Sequence, residues 1–318
     1  MVFHNDASVL ECCLCLYCHN IDRILESSVL SSAEVFKQLI PPEEKHLKKK
    51  HFLKKILCSD PSRECFMRSC GTCRDKADDL EIEMMQMFQD GNISEISFEV
   101  WETTERCKVV PRCETSRDFI EMFVRKIVKY SSHLYEYTTQ QKFYDDLTKT
   151  LPKNQVLIAG DFAENLSFFE AKEIQSAYYG KSQATIFPTI VFYNKHGNIQ
   201  KFSAIFISDT LHHRAQEVYA FLNVLNRHLD EFFGERAHNI YFSDGAGSHF
   251  KCRSNFINVA HHHLDYGCTA EWHFQGTSHG KGQINCFLAA DSSSIVPNAV
   301  CLFVKLNQLE KLEAAKAA

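Results

Sequence analysis

Two aspartates stand where chemistry is easily built, because each comes at the end of a short apolar run that predicts a buried strand. Asp161 ends the run in NQVLIAGD, and Asp244 comes after the run IYF and before Gly245 and Gly247, which predict a sharp turn. Paired carboxylates bind divalent cations, and two Mg²⁺ or Mn²⁺ ions roughly 4 Å apart can activate a water or a 3′-hydroxyl at a phosphodiester. Either aspartate alone is more typical of a turn beside glycine, so the predicted metal site depends on the two strands being neighbours.

Cysteines form the second group of chemically active residues, since eight of the 14 lie within the first 73 residues. Thiolates and imidazole suit tetrahedral Zn²⁺, and a C-x2-C spacing lets one turn present two sulfurs to one ion. We predict a structural zinc site at a C-x6-C-x4-C-x2-C group and a weaker one nearer the N-terminus, with buried free thiols as the alternative. The first group is Cys58, Cys65, Cys70 and Cys73, and the second is Cys13, Cys15, Cys18 and His19.

The charge balance gives no global argument for a polyanionic partner, because the formal net charge is −5. One local patch, HLKKKHFLKK at 46–55, predicts phosphate contact or nuclear targeting, and a solvated helix face is the alternative. Its lysines are Lys48, Lys49, Lys50, Lys54 and Lys55. No apolar stretch reaches the roughly 20 residues that span a bilayer, and the N-terminus lacks a basic region followed by an apolar one. We therefore expect an intracellular, soluble protein with no membrane partner.

The N-terminal half is predicted to be mainly helical. A capping-box pattern, Ser31 with Glu34, predicts a helix that Pro41 and Pro42 end. Residues 74–90 predict a second helix, 96–102 alternate as a strand, and one or two long helices run from residue 115 or 116 to about 150. We therefore predict a Cys-rich, zinc-stabilised region over 1–110 and a helical connector over 111–152.

The C-terminal half predicts an α/β domain over 153–290. After the strand that ends at Asp161, residues 184–209 predict a hairpin across 195–198, with Pro188 at the start or edge of its strand. A helix over 212–233, the strand that leads to Asp244, a helix over 255–264 and a strand over 269–274 complete the order βββαβαβ. This is the order of an RNase H-like mixed sheet with flanking helices, in which the first and fourth strands are neighbours.

Four segments carry a family resemblance: DFAENLSFF (161–169), SQATIFP (182–188), FSDGAGSHFKCRSNFIN (242–258) and EWHFQGTSHGKG (271–282). They are similar to a family of transposon-derived animal proteins whose members resemble DDE transposases with an RNase H-like core, as in Mutator-like and Kyakuja-Dileera-Zisupton elements. The similarity spans roughly 58–282. It implies that Asp161 and Asp244 are the first two metal-binding acids, that DNA and not a small molecule is the substrate, and that the protein is nuclear; it leaves oligomer formation open.

The third acid of that family pattern is absent. After Gly282 the pattern continues with Pro-Cys-Asp-Gly, whereas this chain has Asn285 where Asp is expected. An amide offers a neutral oxygen instead of a charged one, so metal affinity falls. Other acids available to replace it are Glu164, Asp209, Glu271 and Asp291.

Histidines and a lysine near this region are further candidates. His279 and Lys281 lie in a glycine-bounded turn, from which they could reach a phosphate or a leaving group. His261, His262 and His263 cannot all face one ion on a helix, so we predict that at most one or two of them point inward, as core histidines.

Together these features predict a DDE transposase-like protein whose ancestral activity is two-metal DNA strand cleavage or transfer. Because the third acid is missing and residues 291–318 look like an unrelated helical tail, we expect this chain to be degenerate or truncated relative to such an enzyme. The alternative is a non-catalytic nuclear protein that keeps the fold and binds nucleic acid or protein through its lysines and zinc region.

Overall fold

The structure is a computed structural model that describes residues 15–168, 174, 181–233, 236–276 and 299–304. It divides into two compact units, Met1–Thr139 and Gln140–Ala318. The division falls inside the segment 111–152 that the sequence predicts as a connector, within one long helix rather than at its end. Within the described residues, no helix has both the length and the apolar character that crossing a membrane requires.

The first unit contains a helical core and one antiparallel hairpin. The predicted helices near 74–90 and 115–150 and the strand near 96–102 are confirmed, and Thr115 caps the long helix, because its Oγ1 accepts a hydrogen bond of 3.3 Å from the backbone N–H of Asp118. The elements are α1 (Leu16–Leu25), α2 (Ser28–Ser32), a 3₁₀ helix (Glu34–Leu39), α3 (Lys49–Ile56), α4 (Arg63–Phe66), α5 (Lys76–Asp90), β1 (Glu95–Thr103), β2 (Cys107–Thr115) and α6 (Ser116–Thr150).

The predicted capping box at Ser31 and Glu34 is wrong. Ser31 lies inside α2, where its hydroxyl donates to the carbonyl of Ser28, and Glu34 begins the separate 3₁₀ helix. The extended backbone of Ala33 separates the two elements. The buried Phe36 and Leu39 of the short helix pack into the core of the unit, so tertiary packing rather than a local cap positions this segment.

The second unit is a mixed α/β domain with helices on both faces of its sheet. The strands lie in the order β8-β7-β3-β5-β6-β9, and β4 pairs with β5. β3 runs parallel to β7 and antiparallel to β5, which confirms the prediction that the strands before Asp161 and Asp244 are neighbours. The elements are β3 (Gln155–Gly160), β4 (Leu166–Ser167), β5 (Gln183–Lys195), β6 (Asn198–Ser208), α7 (Ala215–Phe233), β7 (His238–Ser243), α8 (Arg253–Tyr266), β8 (Thr269–Phe274) and β9 (Ala299–Val304).

The hairpin of β5 and β6 has the predicted turn. Lys195 pairs with Asn198, and the residues between them, His196 and Gly197, have φ angles of 55° and 89°. Positive φ at both central positions is the two-residue turn whose twist matches that of paired strands.

The prediction that Pro188 lies at the start or edge of its strand is wrong, because Pro188 is buried within β5. Its carbonyl accepts a hydrogen bond of 3.3 Å from the backbone N–H of Asp161. That bond lies just beyond the pair of Gly160 and Thr189, which is the last pair of the ladder between β3 and β5. Pro188 has no N–H with which to return this bond, so the β3–β5 ladder ends at the pair of Gly160 and Thr189.

The sheet is covered on its two faces by different helices. The apolar side chains of α7 repeat at helical spacing and are buried against one face, as predicted: Val218, Phe221, Leu222, Leu225 and Leu229. The other face is covered by Tyr144 of α6 together with Leu151, which pack on Leu157 and Ala159 of β3. Because β3 is buried on both faces, its backbone is held in place, and so is the start of Asp161, the residue that follows it.

A buried polar network joins α7, β7 and α8. The Tyr241 hydroxyl accepts from the amides of Asn226 and Asn239, at 3.0 and 3.1 Å, and lies 2.8 Å from His262 Nε2. His262 Nδ1 lies 2.8 Å from the carbonyl oxygen of Cys268. Of the three consecutive histidines only His262 is buried, which confirms that at most one or two of them point inward.

Gly160 of β3 has no space for a side chain. A Cβ at this position would lie 3.0 Å from Phe187 Cζ and 3.2 Å from Thr189 Oγ1, and the Phe187 ring is held by the stacked ring of Phe221. We expect Gly160→Ala to lower the free energy of unfolding of this unit by about 1–3 kcal/mol. The matched control is Gly245→Ala, since a Cβ there meets nothing within 4 Å.

The measurement is urea unfolding followed by tryptophan fluorescence. The chain has two tryptophans, Trp101 in the first unit and Trp272 in the second. In a Trp101→Phe background, the remaining tryptophan reports on the second unit alone. Equal midpoints for Gly160→Ala and Gly245→Ala would contradict the predicted overlap with Phe187.

The predicted helical tail over 291–318 is wrong for the part that the structure describes. Ala299–Val304 form β9, which runs parallel to β6 and pairs with Ser203–Ser208. The run AVCLFV is apolar and contains β-branched residues, and it gains a full row of backbone hydrogen bonds from the edge of β6. The other residues of the predicted tail lie outside the described part of the chain.

Candidate metal centres

Asp161 is held at the carboxyl end of β3, where the strand leaves the sheet. The residue is only 4% exposed, and its Oδ1 accepts a hydrogen bond of 2.8 Å from the backbone N–H of Phe162. Its own N–H donates to the carbonyl of Pro188. The backbone on both sides is therefore fixed, and the carboxylate has a defined position at the end of the sheet.

Asp244 follows the neighbouring parallel strand, β7. Its Oδ1 accepts a hydrogen bond of 3.0 Å from the N–H of Ala246, so it also makes the local turn that was the alternative to metal binding. The strand ends at Ser243, as predicted, and neither Gly245 nor Gly247 has a positive φ or a close neighbour at the Cβ position, so the chain leaves the strand without a conformation that requires glycine. Carboxyl ends of adjacent parallel strands meet at one edge, so the two carboxylates approach each other.

His249 completes the group. One carboxylate oxygen of Asp161, one of Asp244 and one ring nitrogen of His249 all lie within 4.8 Å of one another. The Nε2 atom of His249 is 3.9 Å from Asp244 Oδ1, and its Nδ1 is 2.8 Å from the Ser248 hydroxyl. Nδ1 bonds to serine, and Nε2 is the ring nitrogen on the side of the Asp244 carboxylate.

Neighbouring side chains set the position of His249. The ring of Phe162 lies against the His249 ring edge to face, at a centroid distance of 5.1 Å. Phe162 is also stacked on the ring of His213, at 4.3 Å. The side-chain amide of Asn255 in α8 donates to the backbone carbonyl of His249. Helix α8 and the aromatic stack therefore fix both the backbone and the ring of this histidine.

Burial lowers the pKa of His249 below its ordinary value, although the neighbouring Asp244 carboxylate acts in the opposite direction. Burial also lowers the pKa of His213. The shift favours the uncharged imidazole, which is the form that binds a cation. Two carboxylates and a neutral imidazole form a ligand set that a divalent cation would neutralise.

The four cysteines at 58–73 come together at a second centre. The sulfurs of Cys58, Cys65, Cys70 and Cys73 all lie within 4.8 Å of one another, so the cluster could bind a metal such as zinc. The Cys58 and Cys70 sulfurs are 3.9 Å apart, far longer than a disulfide bond. Zn–S bonds of about 2.3 Å in a tetrahedron place sulfurs roughly 3.8 Å apart, so this geometry fits zinc.

Backbone groups around this cluster favour the thiolate form of one ligand. Hydrogen bonds from the backbone N–H groups of Thr72 and Cys73 lower the pKa of Cys70 to about 6, whereas burial raises that of Cys73 to about 12. A cation bound by the sulfurs would reverse the second effect, because it stabilises every thiolate. The loop between α3 and α5 therefore turns its four cysteine sulfurs towards one another.

Two family models match the chain. Residues 140–290 are similar to a family described as a domain of unknown function, DUF8701, and residues 19–131 to a second one, DUF8700. The first match begins where the second structural unit begins. No curated protein matches the chain. No solved structure matches it either.

The two centres belong to different matched segments. The group of Asp161, Asp244 and His249 lies in the DUF8701 segment, and the four-cysteine cluster lies in the DUF8700 segment. The sequence predicted both aspartates but not the role of His249. The available signal was its spacing, since it stands five residues after Asp244 in the same loop.

The acids proposed as replacements for the third ligand lie elsewhere. Glu271, on β8, is 3.0 Å from His273 and 3.8 Å from His238, and it is outside the group of Asp161. Glu164 and Asp209 are exposed and are also outside that group. The remaining candidates lie outside the described residues: His279, Lys281, Asn285 and Asp291.

The lysine patch is largely engaged with carboxylates. Glu44 pairs with Lys48, at 2.9 Å, and with Lys50. Lys49 pairs with Asp22, and Lys55 with Glu83, each at 2.6 Å. Lys54 is exposed on α3. These ion pairs offset most of the local positive charge, so the patch fits the alternative of a solvated helix face better than a phosphate-binding surface.

The cluster nearest the N-terminus has a different composition from the predicted one. Cys15 and Cys18 group with His133 of α6, and His19 is not a member. Cys13 lies outside the described residues. His133 is 118 residues from Cys15, so no local spacing could have indicated it.

Proposed function

We propose that the second unit is an RNase H-like domain of transposon-derived origin, and that Asp161, Asp244 and His249 bind a divalent cation for cleavage or strand transfer at a DNA phosphodiester. One observation carries this proposal: the two carboxylates follow adjacent parallel strands and share their site with an imidazole nitrogen. The strand order β6-β5-β3-β7-β8, antiparallel through β3 and parallel beyond it, supports the same interpretation.

The composition of the site favours Mn²⁺ over Mg²⁺. Magnesium prefers an all-oxygen, octahedral set, whereas manganese accepts an imidazole nitrogen beside carboxylates more readily. Three ligands suffice for one cation. This proposal therefore differs from the two-metal arrangement of the DDE resemblance, in which a third acid helps hold the second ion.

Each ligand has a distinct task in the proposed reaction. A bound cation would polarise a phosphoryl oxygen and lower the pKa of an attacking water. Asp161 and Asp244 supply negative charge from positions fixed by β3 and β7. His249, kept uncharged by burial and oriented by Ser248, supplies a neutral donor. The two carboxylate charges are therefore balanced by a divalent cation, and no third negative charge repels the phosphate.

The test is nicking of supercoiled plasmid by the purified full chain with Mn²⁺ or Mg²⁺. We expect nicking that is faster with Mn²⁺ and that falls by about 10²-fold or more in Asp161→Asn and Asp244→Asn, because each change removes a charged ligand. The matched control is Asp209→Asn, an exposed aspartate at the end of β6.

Two outcomes would contradict the proposal. In the first, the wild-type chain nicks DNA no faster than the Asp161→Asn/Asp244→Asn double variant. In the second, Asp209→Asn loses as much activity as either ligand variant. Salt-sensitive DNA binding without cleavage would instead support the alternative of a non-catalytic nuclear binding protein.

We further propose that the four-cysteine cluster binds a structural zinc ion. Cys65 and Cys73 are buried in the core of the first unit, and Cys65 lies on α4, a helix of only four residues. So short a helix has little stability of its own. A bound ion would hold this loop against α3 and α5.

A further inference from the structure

A second sulfur and nitrogen cluster lies in the first unit, apart from the four cysteines. Cys15 is the N-cap of α1, and Cys18 stands one turn further along the same helix. His133 comes from the middle of α6. Their two sulfurs and one ring nitrogen all lie within 4.8 Å of one another. We propose that Cys15, Cys18 and His133 bind a second transition-metal ion, Zn²⁺ by preference.

The distances fit tetrahedral zinc. Cys15 Sγ lies 3.5 Å from His133 Nε2. Zn–S bonds of about 2.3 Å and Zn–N bonds of about 2.0–2.1 Å at a tetrahedral angle place sulfur and nitrogen roughly 3.5 Å apart. The observed separation therefore matches one edge of a zinc tetrahedron.

The two sulfurs are shielded from solvent and have a cation beside them. Cys15 is only 6% exposed, and Cys18 is half-buried. Lys49 of α3 bonds to the carbonyl of Cys18 at 3.2 Å and lies over the ring of Tyr130, 5.2 Å from its centroid. Lys49 also pairs with Asp22, at 2.6 Å, so it offsets only part of the charge of two thiolates, and a bound metal ion would supply the rest.

His133 has a fixed ring. Tyr17 of α1 packs against it at a centroid distance of 5.6 Å. An ion bound by these residues would join α1 to α6 across 118 residues of sequence. Cys15, Cys18 and His133 all lie outside the segments that match the two family models, so the site is a property of this chain that those models do not describe.

The test counts zinc per chain in an Asp161→Asn/Asp244→Asn background, which removes the carboxylate ligands of the other centre. Zinc is measured by mass spectrometry after gel filtration in a weak chelator. We expect two ions in the parent chain and one in both Cys15→Ser/Cys18→Ser and His133→Ala. The matched control is His19→Ala, which replaces the histidine adjacent to Cys18 that is not in the cluster and should keep two ions.

A conservative variant guards against simple misfolding. His133→Cys retains a zinc ligand, so it should keep two ions, and replacement of zinc by Co²⁺ should strengthen its thiolate-to-metal charge-transfer absorption relative to the parent chain. Misfolding without metal coordination would instead give equal losses in His133→Ala and His133→Cys. A zinc count that does not fall in Cys15→Ser/Cys18→Ser, or loss of an ion in His19→Ala but not in His133→Ala, would overturn the proposal, whatever the count at the four cysteines.

Discussion

Cys70→Ser/Cys73→Ser should release one zinc ion and lower the free energy of unfolding of the first unit by about 4 kcal/mol, at a free zinc concentration about 1,000 times the dissociation constant. The reason is that the four sulfurs bind the ion only in the folded loop, so the binding free energy adds to the folding free energy. The side chains involved are part of the apolar core, and serine at the buried Cys73 adds a hydroxyl without a partner.

The control for this change is Cys107→Ser/Cys113→Ser. Both cysteines are free and exposed on the β1–β2 hairpin of the same unit, so their replacement should change stability by less than about 0.5 kcal/mol. Urea unfolding is followed through Trp101 in a Trp272→Phe background. A chelator should destabilise the parent chain and the control alike, and should have a smaller effect on Cys70→Ser/Cys73→Ser, which can lose only the ion at Cys15, Cys18 and His133.

Unchanged stability on addition of chelator would mean that the four sulfurs are packed free thiols. The comparison with the hairpin cysteines matters here, because it separates the loss of a metal from the loss of sulfur in general. Zinc counts on the same samples should fall by one ion only in Cys70→Ser/Cys73→Ser.

His262→Leu should lower the free energy of unfolding of the second unit by about 2–4 kcal/mol, since it leaves two buried polar groups without partners at about 1–3 kcal/mol each. Tyr241 already accepts from Asn226 and Asn239, so its own proton must go to His262 Nε2. His262 then carries its proton on Nδ1 and donates it to the carbonyl of Cys268. Leucine can do neither.

The neighbouring histidines are the matched controls. His261 and His263 flank His262 on α8 and are exposed, so His261→Leu and His263→Leu should each change stability by less than about 0.5 kcal/mol. Unfolding is followed through Trp272 in a Trp101→Phe background. Equal losses in all three variants would contradict the role assigned to the buried network.

The same residue predicts a pH dependence. Burial lowers the pKa of His262 below its ordinary value of 6.5, and Arg236 lowers it further. The folded state therefore favours the neutral imidazole, and the unfolded state binds more protons between the folded pKa and 6.5. The stability that depends on His262 is fully present above pH 6.5 and is lost as the pH falls through that window. His262→Leu should remove this part of the slope, whereas His263→Leu should retain it.

The sheet was predictable because its signals are local. The apolar runs before Asp161 and Asp244, the turn at 195–198 and the helical repeat of α7 each occupy one short segment, and topology rules then make the two aspartates neighbours. The position of Pro188 was predicted wrongly because a proline is tolerated inside a strand where the neighbouring strand stops pairing. The end of β3 is set by the sequence of β3 and cannot be read from the residues around Pro188.

The histidine ligands illustrate what local patterns omit. His249 reaches Asp161 only because α8 and the ring of Phe162 fold the loop back towards β3. His133 meets Cys15 only because α1 and α6 pack together in the first unit. His19 had the right spacing to its cysteines, but the structure groups His133 with them instead. Ligand type was thus predictable from composition, whereas ligand identity required the packing of helices far apart in sequence.

Strand β9 also covers the backbone hydrogen-bonding groups along one edge of the sheet. Without it, the 11-residue strand β6 would be the outer strand and would leave a long row of unpaired backbone groups. With it, the sheet formed by the described residues ends on both sides in strands of six residues, β8 and β9. Short outer strands are poor templates for the addition of a foreign strand. A chain cut before Ala299 should therefore self-associate through β6, even though every ligand of the carboxylate centre would still be present.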